Sequence, residues 1–102
     1  MDVQHQVRAF LKQHQLAHAP ETHALDLVSE VGEVAKALLE ASEYGATGPV
    51  YGPALPEELG DAFFALLALA ESLDVDLEAA LSTAMAKYED RLASKGHCGS
   101  RA

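Results

Sequence analysis

Tryptophan is absent, cysteine occurs once, at Cys98, and only seven Lys and Arg stand against sixteen Asp and Glu. A lone cysteine has no intrachain disulfide partner, so nothing in the sequence asks for an oxidising compartment. The formal charge of −9 repels polyphosphate backbones and no dense basic run offsets it, which argues against a generic binder of nucleic acid polymers. Long apolar runs are missing too. The longest, Ala62 to Ala70, is far shorter than the roughly 20 residues that span a bilayer, so no membrane partner is expected. MDVQHQVRAF has no apolar stretch of a secretory signal, and the expected location is the cytoplasm. The histidines at 5, 14, 18, 23 and 97 are scattered, and only His14 and His18 stand at helical spacing. The usual ligand pattern of zinc is therefore not present.

What is present is alanine, leucine and glutamate at helical period, without the β-branched alternation of strands. The fold class expected is all-α: a four-helix bundle over residues 1–95, followed by a flexible tail, 96–102. A first helix runs from Val3 to about Leu16 with Val7, Phe10 and Leu11 on one side, and a second starts near Glu21. On that second helix Ala24, Leu27, Val28, Val31, Val34, Ala35 and Leu38 form one stripe, which predicts a core-facing side. The Gly- and Pro-rich stretch from Tyr44 to Pro56 is the clear loop. A third helix, Pro56 to about Leu73, is apolar all round in its middle. Three other short helices hardly cover such a surface, so a buried subunit interface is expected, in a homodimer or a homotetramer. A fourth helix, Leu77 to about Ser94, carries Leu81, Met85, Tyr88 and Leu92, expected to face inward.

Two acidic pairs stand at three-residue spacing: Glu30 with Glu33 on the second helix, and Glu58 with Asp61 at the start of the third. Residues three apart lie about 5–6 Å from each other at Cβ, so two such pairs brought together form an oxygen-rich site for Mg²⁺ or Mn²⁺. The same residues also suit a solvated acidic face. Glu30 lies about 100° and Glu33 about 160° from the apolar stripe, and acids in a first helical turn are favoured by the dipole alone. Glu40 with Glu43 and Glu71 with Asp74 repeat the spacing. A simple antiparallel hairpin even favours Glu40 and Glu43, which are nearer the loop. For Glu30 and Glu33 to meet Glu58 and Asp61, the second helix must end early or the loop must climb back.

The strings LDLVSEVGEVAKALLE and PEELGDAFFALLALAESLDVDLEAAL resemble the MazG-like all-α nucleoside triphosphate pyrophosphohydrolases, over about residues 10–92. Glu30, Glu33, Glu58 and Asp61 fall on that family's E-x-x-E and E-x-x-D signatures, within the flanks VGEV and EELGD that the other pairs lack. The stretch HAPETHALDLVSEVGEV is similar to the dCTP-pyrophosphatase branch, with His18 and Pro20 on its His-x-Pro. The resemblance implies hydrolysis of a (d)NTP to the monophosphate and pyrophosphate in house-cleaning of the nucleotide pool, with the four acids as catalytic metal ligands and Mg²⁺ or Mn²⁺ as cofactor. Lys87 and Arg91, in AMAKYEDRL, are similar to the family's K-[FY]-x-x-R ending and become phosphate-binding candidates. Phe10, His14 and Tyr51 are candidates for a base pocket. The chain departs from the family at Ser29, where many members carry a further Glu, and at His14 and Ala17, where the dCTP branch has an aromatic pair. Competing expectations are a non-catalytic helical interaction module and a phosphoribosyl-ATP pyrophosphohydrolase.

Overall fold

The computed structural model describes residues 2–99, which form four α-helices: α1 Asp2–Gln13, α2 Pro20–Ala41, α3 Ala54–Ser72 and α4 Leu77–Lys95. The all-α class expected from the periodicity holds for the described residues. None of these helices is long and apolar enough to cross a membrane. The tail expected at 96–102 falls partly on residues 100–102, outside the described residues. Of the rest, Gly96 closes α4 in the left-handed region, and Cys98 offers its carbonyl to Arg91 Nη1 at 3.1 Å.

Helix ends follow the local chemistry closely. Pro20 occupies the first turn of α2, where its missing N–H leaves no bond unmade. Asp76 caps α4, accepting from the backbone N–H groups of Glu78 at 3.0 Å and Ala79 at 3.2 Å. α1 stops at Gln13, short of the expected Leu16, because Gln15 turns into the left-handed region at φ 55° and Leu16 N–H bonds back to Leu11 O at 2.8 Å. The same closure, with the N–H two residues past the cap reaching back five residues, recurs at Glu43 after α2 and at Asp74 after α3. α3 begins two residues before the expected Pro56, at Ala54, and Pro56 still lies within the first turn.

α3 is the central element. It packs along α2 on one side and against α1 on another, and the core consists of Val7 and Leu11 of α1 with Leu67 and Ala68 of α3, flanked by Phe64 and Leu77. Gln4 is buried and fixes how α4 leaves this core: its Nε2 donates to Val75 O and its Oε1 accepts from Leu77 N–H at 3.1 Å. Beyond that tie α4 diverges and buries no residue. The Cα radius of gyration, 16.9 Å, therefore exceeds the roughly 13 Å of a compact domain of about 100 residues.

Two expectations about packing are corrected. Leu81, Met85, Tyr88 and Leu92 of α4 do not face inward but are exposed, because among the described residues no second helix packs along the length of that face. The α2 stripe also divides. Ala24, Leu27 and Val34 are half-buried with Ala37 and Ala41, whereas Val28, Val31, Ala35 and Leu38 are exposed, Val28 by 70%. At 100° per residue the covered line of α2 is rotated about 60° from the centre of the apolar stripe, toward Glu30.

Candidate metal centre and nucleotide cleft

That rotation places Glu30 at the edge of the α2–α3 contact rather than in open solvent. The α2–α3 loop climbs back along α2: Val50 N–H bonds to Ala41 O at 2.8 Å, and Ala54 and Leu55 line a small cleft together with Ala37 and Ala41. α3 thus starts a full turn down α2, and Glu58 and Asp61 arrive opposite Glu30, not opposite Glu40 as a simple hairpin favours. Glu30, Glu58 and Asp61 each present a carboxylate oxygen within 4.8 Å of the others. Glu30 and Glu58 are half-buried and Asp61 is exposed.

Electrostatics report the same crowding. The Glu30 carboxyl is held above its ordinary range, first by burial and then by the negative charges of Asp61, Asp26, Glu58 and Glu33. Glu33 contributes no oxygen to the triplet and is exposed, but its charge still acts on Glu30. The donor set consists of hard carboxylate oxygens, which suits a divalent cation of the Mg²⁺ or Mn²⁺ kind. The other acidic pairs are engaged elsewhere. Glu40 faces Lys36 at 3.9 Å, Glu43 and Asp74 form left-handed turns, and Glu71 pairs with Arg8 at 2.9 Å.

The phosphate candidates form no ion pair with this triplet. Lys87 Nζ sits 4.9 Å from the ring centroid of Tyr88, Arg91 bonds to the tail, and neither forms an ion pair with a carboxylate among the described residues. Of the base-pocket candidates, Phe10 and His14 come together, with ring centroids 4.5 Å apart, and Phe10 meets Phe64 edge-on at 5.7 Å. Tyr51 is not with them: it belongs to the α2–α3 loop and lines a small cleft with Ala37 and Glu40.

A cleft of about 290 Å³ opens instead between α1, the start of α2 and α3. Leu11, Leu16, Phe64 and Ala68 supply its apolar wall, and His18, Thr22, His23 and Asp26 its polar one. His23 is buried, and its Nε2 accepts the His18 backbone N–H at 3.1 Å, which fixes the link between α1 and α2. Thr22 and Asp26, both exposed at the edge of this cleft, were not among the residues singled out from the sequence. The available signal was the four-residue spacing Thr22, Asp26, Glu30, which puts all three on one line of α2.

Comparison with known proteins agrees with this architecture. No curated protein sequence matches the chain significantly. Two crystal structures do resemble it. One is the Bacillus-conserved MazG protein, a nucleotide pyrophosphohydrolase, with 32% identity, a TM-score of 0.71 and 85% of each chain covered. The other is YpjD of Bacillus subtilis, with 33% identity, a TM-score of 0.72, and 88% of this chain and 92% of that one covered. The sequence profile of the MazG nucleotide pyrophosphohydrolase domain matches residues 18–94, a span that contains both acidic pairs. The chain therefore belongs to the MazG nucleotide pyrophosphohydrolase family, whose members are hydrolases acting on nucleotide pyrophosphate bonds.

Proposed function

We propose that this protein is a Mg²⁺-dependent pyrophosphohydrolase, able to use Mn²⁺, that converts a (d)NTP to its monophosphate and pyrophosphate and so clears unwanted nucleotides in the cytoplasm. The observation that carries the reading is the convergence of Glu30, Glu58 and Asp61 from two helices, with the Glu30 carboxyl held above its ordinary range. Glu30, Glu58 and Asp61 would hold the cation, with Glu33 turning in as a fourth ligand. A divalent ion there supplies Lewis-acid chemistry, favouring deprotonation of water and offsetting phosphate charge.

The remaining work belongs to the chain. Water is the nucleophile at the α-phosphorus, the bond to the bridging oxygen breaks, and pyrophosphate leaves, so no Ser, Cys or His nucleophile is required. Lys87 and Arg91 neutralise the leaving phosphates. Because α4 diverges from the rest of its own chain, these two side chains reach the carboxylates of a second copy, in a homodimer or a dimer of dimers. The apolar surface left open on α2, α3 and α4 supports that assembly.

A pyrophosphate-release assay over a panel of (d)NTPs with Mg²⁺ tests the reading. Release that stops on chelation is expected. No release from any nucleotide with Mg²⁺ or Mn²⁺ contradicts it, and hydrolysis confined to phosphoribosyl-ATP changes the substrate class.

A further inference from the structure

Resting on that reading, we propose that the cleft between α1, α2 and α3 takes the nucleobase and selects bases bearing an exocyclic amino group, with Asp26 as the residue that reads it. Thr22, Asp26 and Glu30 share one line of α2, each about 6 Å further along the axis. A nucleotide with its α-phosphate at Glu30 and its base in this cleft runs along that line past Asp26 and Thr22. Asp26 lines the cleft, is close enough for its charge to act on Glu30, and gives no oxygen to the Glu30, Glu58 and Asp61 triplet. It pairs with no cation among the described residues.

An ionised carboxylate only accepts hydrogen bonds. The amino groups of cytosine, adenine and guanine donate to it. At the same ring position uracil, thymine and hypoxanthine carry a carbonyl, which sets lone pairs against negative charge and leaves only the neighbouring ring N–H to donate. A site built to bond a particular polar group discriminates far more strongly than one that measures size, and a repulsive contact adds to the difference. Phe64 and Leu11 on the opposite wall offer contact to any base and do not discriminate between these pairs.

Two matched comparisons isolate the polar group: dCTP against dUTP, and dATP against dITP. The wild type is expected to favour the amino-bearing member of each pair by roughly tenfold or more in kcat/KM. Asp26→Asn, whose amide can also donate, is expected to bring each ratio to within about threefold, chiefly by improving dUTP and dITP. Absence of an amino preference in both pairs, or ratios that Asp26→Asn leaves unchanged, overturns the inference. Should no nucleotide be hydrolysed, the pyrophosphohydrolase reading fails separately. Binding of dCMP and dUMP then decides the cleft: an Asp26-dependent preference for dCMP upholds it, and equal affinity overturns it.

Discussion

At the residue scale, the carboxylates carry the argument because their charges are costly without a cation. The Glu30 carboxyl is raised, so between the ordinary carboxylate range and its folded value the native chain holds more protons than the unfolded one. The sign follows: in the absence of metal, stability falls as pH rises through that window and is recovered as pH falls. Asp61→Asn removes a charge that raises Glu30. It is expected to raise the melting temperature of the metal-free protein at neutral pH and to abolish stabilisation by Mg²⁺; a variant that melts lower and still responds to Mg²⁺ contradicts this. Glu33→Gln is expected to lower pyrophosphate release at least about 100-fold with the helical circular-dichroism spectrum intact. Retained turnover removes Glu33 from the ligand set. The spacing of these acids was visible in the sequence, and the flanks VGEV and EELGD singled out by resemblance the pairs that supply the triplet, but helix register alone favoured Glu40 and Glu43. The pairing depended on Val50 folding back onto Ala41, a loop path that no residue periodicity encodes.

At the element scale, three helices end on a non-glycine residue in the left-handed region: Gln15, Glu43 and Asp74. Each such residue costs roughly 1 kcal/mol that glycine avoids. Gln15→Gly is expected to stabilise the chain by about 0.5–1 kcal/mol, read as a higher denaturant midpoint, and an unchanged or lower midpoint counts against the account. Gln4 works in the opposite direction. Gln4→Ala leaves Val75 O and Leu77 N–H without their partner and is expected to cost about 1–3 kcal/mol, a loss that Gln4→Leu does not restore. Helix number and type were legible from the Ala, Leu and Glu period. The ends of α1 and α2 were less so, because glycine, the usual marker of a left-handed stop, is missing at Gln15 and Glu43. Gln4 carried no signal at all, since its role depends on partners more than 70 residues away in sequence.

At the scale of the whole molecule, the open surface is the main fact. Val28 and Val31 of α2, Phe63 and Leu66 of α3, and Leu81, Met85, Tyr88 and Leu92 of α4 are all exposed in the single chain. A helix whose middle is apolar all round signalled this surplus in advance. The inward assignment of the α4 residues failed because it took the amphipathic face to be satisfied within one chain, when no helix among the described residues packs along it beyond its first turns. Sedimentation is expected to show a dimer or tetramer, and Met85→Glu to shift it toward monomer; a wild-type monomer at micromolar concentration contradicts the proposed assembly. If α4 serves the neighbouring site, mixing inactive Glu58→Gln and Arg91→Ala chains restores activity, up to about a quarter of wild type for random dimers. Sites built within one chain give none.

The central claim is that acids from α2 and α3 jointly hold one divalent cation. Calorimetric titration of the folded protein with Mg²⁺, for the wild type and for Glu58→Gln, measures this directly. Saturable binding is expected in the wild type and is lost in Glu58→Gln while its helical content is unchanged. Equal binding by both proteins, or none by the wild type, would contradict it.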